Sequence, residues 1–203
     1  GACNVPVDEW ELDIVASGSQ KGYMIPPGLS FIAMSQKAWE AAEKSNLPKF
    51  YLNLKSYRKS LLSNSNPYTP AVNLVFALDE ALKMMREEGL DNIFLRHNKH
   101  KLAMSNAMKA LNLQLFADEK YLSPSITAIK TEDMDAEEFR KTIKKNFDIL
   151  LAGGQDHLKG KIFRVGHLGY VNNRDIITVV SAISNTLLDL GKITTQQAGE
   201  ALL

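Results

Sequence analysis

The chain has 203 residues, 45% of them hydrophobic and 23% charged, with 24 lysines and arginines against 23 aspartates and glutamates. That is the ordinary balance of a globular chain long enough for one large domain or two small ones, and it excludes the basic surplus of a nucleic-acid binder or of a protein drawn to acidic membranes. No apolar run approaches the length of a membrane span. The single cysteine, Cys3, rules out a disulfide within the chain and a Cys-based zinc site, and it suits a reducing compartment, so the cytoplasm is the expected location.

Asn4 to Leu12, with Pro6, Trp10 and several acids, reads as a surface connection. Asp13 to Ser30 reads D-I-V-A-S-G-S-Q-K-G-Y-M-I-P-P-G-L-S. Its apolar run at Ile14–Ala16 and the next at Leu29–Met34 predict strand, tight loop, strand. Ser35 then caps a short helix through Trp39, Ala42 and Glu43, which Asn46 and Pro48 end. Residues 49–62 show no clear period. Asn64 to Pro70, N-S-N-P-Y-T-P, is the strongest loop signal. A helix follows, with Val75, Leu78, Leu82 and Met85 on one stripe and Gly89 as its C-cap. The next helix runs from about Asp91 to Leu111 and turns Ile93, His97, His100, Met104, Met108 and Leu111 inward.

Beyond it, Leu113–Phe116 and Ile126–Ile129 read as strands. Asp135, with Glu138 three residues on, starts a helix whose buried face is Phe139, Ile143 and Phe147. Ile149–Ala152 is a short strand stopped by Gly153-Gly154, and Lys161–Val165 is another. Asn173 caps a last long helix with the stripe Ile176, Val180, Ile183, Leu187 and Leu190, closed by Gly191. Strands and helices alternate, which predicts a small α/β sandwich.

Three groups invite a chemical reading. Lys21 sits among Ser17, Gly18, Ser19, Gln20 and Gly22. By spacing alone it is an exposed loop lysine, yet small neighbours allow close approach and a lysine amine on a rigid loop can form a Schiff base. Arg164, within F-R-V-G-H, offers a planar guanidinium that matches a carboxylate; a plain salt bridge is its other reading. His97 and His100 share one helix face, but Met104 and Met108 continue the stripe, so packing is expected and no metal. No role is assigned to His157 or His167.

S-G-S-Q-K (Ser17–Lys21) followed by P-P-G (Pro26–Gly28) resembles the cofactor-lysine segment of the class V, fold type I, pyridoxal-phosphate aminotransferases. The alanine–glyoxylate, serine–glyoxylate and serine–pyruvate branch is the nearest in pattern. F-R-V-G-H-L-G, Phe163 to Gly169, resembles that family's carboxylate-binding arginine motif, and the two occur in the family's order. Cysteine desulfurases place a histidine just before the lysine and need a downstream cysteine. Gln20 stands in that place here, and no cysteine follows Cys3.

The resemblance implies an α/β fold: residues 1–92 as the C-terminal part of the large cofactor-binding domain, and residues 93–203 as a small C-terminal α/β domain. It implies a C-terminal half, whose missing partner carries the phosphate-binding loop, the aromatic that stacks on the cofactor and the aspartate that pairs with its pyridine nitrogen. It assigns Lys21 to catalysis through an internal aldimine with pyridoxal 5'-phosphate. Gln20, Ser19 and Thr69 fall to cofactor binding, and Arg164 to the substrate carboxylate. Small amino acids and 2-oxo acids are the implied substrates, in a homodimer with a shared site to which Thr69 contributes. The family's tyrosine three residues before that threonine is Asn66 here, and Tyr68 is out of register. Two alternatives stay open: a non-catalytic fragment or subunit acting through association, and another class V reaction such as a lyase.

Overall fold

The apolar runs on either side of Lys21 become two strands, β1 (Ile14–Gly18) and β2 (Ser30–Met34). They pair antiparallel, Ile14 opposite Met34 and Gly18 opposite Ser30, in a computed structural model that describes residues 1–202. Helix α1 (Gln36–Lys44) follows at once. Its N-cap hydroxyl, Ser35 Oγ, accepts from the Ala38 N–H at 3.1 Å and donates to Asp13 Oδ1 at 2.7 Å. One side chain therefore satisfies a free helix-end donor and ties the helix to the foot of the hairpin.

Residues 49–62 hold a helix that the sequence does not announce, α2 (Leu54–Leu62), capped by the Asn53 side chain on the Lys55 N–H at 3.2 Å. It buries none of its residues, so it carries no apolar stripe for periodicity to detect. Helix α3 (Val72–Glu88) forms where expected, but its stripe is only partly covered. Ala81 and Met85 are buried, whereas Val75 and Leu82 are exposed. Gly89, at φ 81°, separates α3 from α4 (Leu90–Ala110), a left-handed turn that a Cβ would strain.

The chain divides into two compact units: Val5–Glu87, and Gly1–Asn4 together with the chain from Glu88 onward. The boundary expected between residues 92 and 93 falls inside α4, three residues past its first.

The second unit has a three-stranded antiparallel sheet in the order β3-β5-β4. Its elements after α4 are β3 (Ile126–Lys130), α5 (Ala136–Phe147), β4 (Ala152–Gly153), β5 (Ile162–Gly166), α6 (Asn173–Asp189) and α7 (Thr195–Glu200). All six residues of the expected α4 stripe are buried, from Ile93 through His97, His100, Met104 and Met108 to Leu111. The last three, Met104, Met108 and Leu111, join Ile129, Phe139, Ile143, Phe163, Ile183 and Leu187 in one core, with the Phe139 and Phe163 rings 5.1 Å apart. Burying each large apolar side chain contributes about 1.5–3 kcal/mol, so this core is what holds the unit together.

Several expectations shift here. Leu113–Phe116 is no strand; it makes a single bridge, Leu115 to Ile129. The strand expected at Ile149–Ala152 begins only at Ala152. Phe147 and Leu190 are exposed, each at the C-terminal end of its stripe. Asn172, not Asn173, caps α6: Asn172 Oδ1 accepts from the Arg174 N–H at 2.8 Å, and Asp175 Oδ2 accepts the Asn172 N–H at 2.8 Å. Two adjacent asparagines cannot be told apart by pattern, and Asn173 is used otherwise, as described below.

Candidate functional site

The loop from Ser19 to Leu29 is shaped by one residue. Ser19 is fully buried. Its Oγ donates to Pro26 O at 2.8 Å and accepts from the Leu29 N–H at 3.1 Å. Its own N–H donates to Leu29 O at 3.0 Å. The hydroxyl's donor and an acceptor position are thus engaged inside the loop. Ser19, expected from the resemblance at the cofactor, is buried here and draws Gln20–Gly28 into a closed turn.

Lys21 lies on that turn, exposed, with no partner for its Nζ within its unit. The backbone beneath it is pinned, since Met24 N–H donates to Lys21 O at 3.0 Å. Gln20 is also exposed, and its side chain folds back over Gly18, where a Cβ would stand 2.9 Å from Gln20 Oε1. Gly18 therefore leaves room for the amide.

Thr69 belongs to a second loop of the same unit. The Asn64–Pro70 segment lines a shallow open hollow, with Asn66 and Thr69 exposed. Tyr68 does not face it as a free group. Its hydroxyl donates to Phe50 O at 3.1 Å, and its ring lies 4.8 Å from that of Tyr51 and 6.0 Å from that of Tyr57. Tyr68 thus anchors the loop through its hydroxyl and ring.

Arg164 lies in the other unit, on the central strand β5, opposite Ala128 of β3 and Ala152 of β4. Its Nε–H donates to Gly153 O at 2.8 Å. The remaining four N–H groups of the fork have no partner among the described residues of its unit, and no carboxylate there pairs with it. Nearby arginines differ: Arg96 pairs with Glu88 at 2.6 Å and Arg140 with Glu137 at 2.8 Å. Arg140 Nε–H also donates to Leu151 O at 2.8 Å, and its Nη1 donates to both oxygens of Glu137 at 2.8 Å. A Cβ on Gly153 would stand 2.5 Å from Arg140 Nη1 and 2.6 Å from Glu137 Oε1.

The turn after β5 is held by α4. Arg96 Nη1 donates to Gly169 O at 2.8 Å and to Val171 O at 2.9 Å. Gly169 N–H donates to His97 Nε2 at 3.0 Å, so that nitrogen is bare and the ring proton sits on Nδ1, which donates to Ile93 O at 2.7 Å. His100 Nε2 lies 3.1 Å from Asn173 Oδ1 and donates to it, which is why Asn173 is not the cap. His167 is likewise neutral: Nδ1–H donates to Pro124 O at 3.1 Å and Nε2 accepts from Thr127 Oγ1 at 2.9 Å. Burial pushes the His167 imidazole down to about 4, and it lowers His97 and His100 in the same sense. Burial opposes their charged forms. Arg96, Glu137, Arg140 and Thr127 were not singled out from sequence. The signal for the histidine contacts was there, because polar rings in a buried stripe need partners, but sequence does not say which.

Ser19, Gln20 and Lys21 therefore share one loop, Thr69 stands on a second loop of that unit, and Arg164 stands in the other unit. Among the described residues no helix is long and apolar enough to cross a membrane, and no group of three His, Cys, Asp or Glu is placed to hold a metal ion.

The family model "Aminotransferase class-V" matches residues 1–176. The small subunit of a soluble hydrogenase, so named, from Synechococcus is 58% identical over 94% of the chain and 50% of its own length. A serine–glyoxylate aminotransferase from Methylorubrum extorquens is 34% identical over 99% of the chain and 52% of its own length. The crystal structure of ureidoglycine–glyoxylate aminotransferase from Bacillus subtilis superposes with a TM-score of 0.91 at 29% identity, over 99% of this chain and 54% of that one. The chain spans about half the length of the curated relatives it matches.

Proposed function

The chain belongs to the class V aminotransferases, and on that premise we propose that it is the lysine-bearing C-terminal half of a pyridoxal-phosphate-dependent transaminase. Alanine or serine is the amino donor, and glyoxylate or pyruvate the acceptor. The observation that carries the reading is Lys21, a lysine whose amine has no partner in its unit, on a turn closed by a buried serine between two paired strands. Glyoxylate as acceptor is favoured by the names of two relatives, the serine–glyoxylate and the ureidoglycine–glyoxylate enzymes.

The residues present fit the cofactor. Lys21 would hold it covalently, and Gln20 and Thr69 offer an amide and a hydroxyl at the surface for its oxygens. When bound, pyridoxal phosphate supplies an aldehyde for amines and a ring that withdraws electrons from the substrate Cα. Lys21 Nζ would take the proton from that Cα and deliver it at the carbon next to the ring, and Arg164 would orient the substrate by its carboxylate. Two half-reactions through one lysine give ping-pong kinetics. The reading includes a cytoplasmic homodimer in which Thr69 serves the partner's cofactor phosphate.

Borohydride reduction of the full-length protein, followed by peptide mass mapping, tests it. A pyridoxyl-phosphate adduct on the peptide carrying Lys21 is expected; no adduct on a full-length chain would sink the transaminase reading. Arg164→Ala is expected to raise the KM for the amino acid roughly 100-fold, with a smaller effect on kcat, because a charge-assisted pair worth about 1.5–3 kcal/mol is lost from substrate binding. An unchanged KM removes Arg164 from the site.

The hydrogenase names of the 58%-identical relatives favour a second reading, a subunit that acts by association. It predicts no adduct at Lys21 and co-purification with larger partners, so the same mapping separates the two.

A further inference from the structure

We propose that Glu137 and Arg140 position Arg164 for carboxylate recognition, acting through the backbone of Leu151–Gly153. The inference rests on the role given to Arg164 above.

A guanidinium binds a carboxylate with two parallel hydrogen bonds only if its plane is fixed. The contact available to fix it is Arg164 Nε–H on Gly153 O, at 2.8 Å. That carbonyl belongs to β4, which is two residues long and lies at the edge of the sheet. So short an edge strand has little pairing of its own.

Besides its pairing with β5, it is held from outside the sheet by α5. Arg140 grips Leu151 O through Nε and takes the Glu137 carboxylate on Nη1. The pair is mostly covered, its side chains 21% and 30% exposed, unlike the open Lys141–Glu138 pair on the same helix. Gly153 lies directly against it, with space for a hydrogen and none for a methyl. The edge strand is thus clasped between two arginines, one on α5 that holds it and one on β5 that takes its direction from it. Remove the first, and the carbonyl that aims the second is held only by the short β4–β5 pairing.

The test is steady-state kinetics on the full-length protein. Arg140→Lys keeps a cation beside Glu137 but has no planar fork to reach Leu151 O. It is expected to raise the KM for both amino acid and 2-oxo acid roughly fivefold to twentyfold, with kcat within about twofold, because a misaimed binding group weakens binding more than chemistry. Gly153→Ala, which changes no charge and displaces the Arg140 fork, is expected to do the same. In an Arg164→Ala background both effects should shrink below about twofold, as for residues that act through one another. If Arg140→Lys and Gly153→Ala leave KM unchanged while Arg164→Ala raises it, the positioning role is wrong and the role of Arg164 stands. Full additivity in the double variants also overturns it. If Arg164→Ala itself leaves KM unchanged, both fall together.

Discussion

Lys21→Ala is expected to lower transamination by the full-length protein by at least about 10³-fold, the scale of losing a covalent and proton-transferring group. With the cofactor removed from both, its thermal midpoint should stay within about 2 °C of the parent, because an exposed substitution that breaks no hydrogen bond alters stability by about 0.5 kcal/mol or less. The structure predicts this split. The Lys21 side chain is exposed and has no partner in its unit, and the turn under it is closed by Ser19, Pro26 and Leu29 rather than by the lysine. Activity and a melting curve on the same sample therefore decide the matter. Retained transamination removes Lys21 from the chemistry. Lost activity with a large fall in the midpoint would mean that the lysine holds the loop, contrary to the hydrogen bonds found.

The second large effect is acid lability. His167 is buried, neutral and bonded on both nitrogens, and its imidazole is pushed down to about 4. In the unfolded chain it titrates near 6.5. Below that pH the unfolded state binds the proton first, so stability falls as pH drops from about 6.5 to about 4 and is fully present above that window. The expected loss from His167 alone is about 2 kcal/mol between pH 7 and pH 5, and about 3 kcal/mol by pH 4. His97 and His100 act in the same direction. Denaturant melts at pH 7 and pH 5 check it, with His167→Gln as the comparison. The glutamine variant should be less stable at pH 7 and flatter with pH. Equal slopes would mean that this ring takes up its proton without opening the structure.

The sequence showed where the chain has strong periods and where it has punctuation. The α4 stripe, the α5 start at Asp135 and the hairpin around Lys21 were all legible, because each rests on spacing or on a capping side chain. Helix α2 was not, since a helix that buries nothing has no stripe. Leu113–Phe116 has the composition of a strand but makes one bridge, because pairing depends on the neighbour and not on propensity. At the candidate site, the resemblance marked Lys21 and Arg164. It could not mark Arg140 or Glu137, which matter only through the backbone of Leu151 and Gly153. The bonds of Ser19 to Pro26 and Leu29 were not legible for the same reason: a hydroxyl in a small-residue loop suits a ligand or its own backbone equally well.

The hydrogen bonds around these groups also carry an order of assembly. Ser19 reaches residues 7 and 10 positions away, and the bonds from Arg140 to Leu151 and from Arg164 to Gly153 each span 11. The His97–Gly169 bond spans 72 and the Thr127–His167 bond 40. Closing a loop of ten residues takes on the order of 10–100 ns, while contacts of long separation wait for the collapse of the whole unit. As the chain leaves the ribosome, the turn bearing Lys21 can close once β2 has emerged, and the clasp on Arg164 once β5 has. The grip of α4 on the turn beyond β5 comes last, and the neutral histidines are sealed in by it.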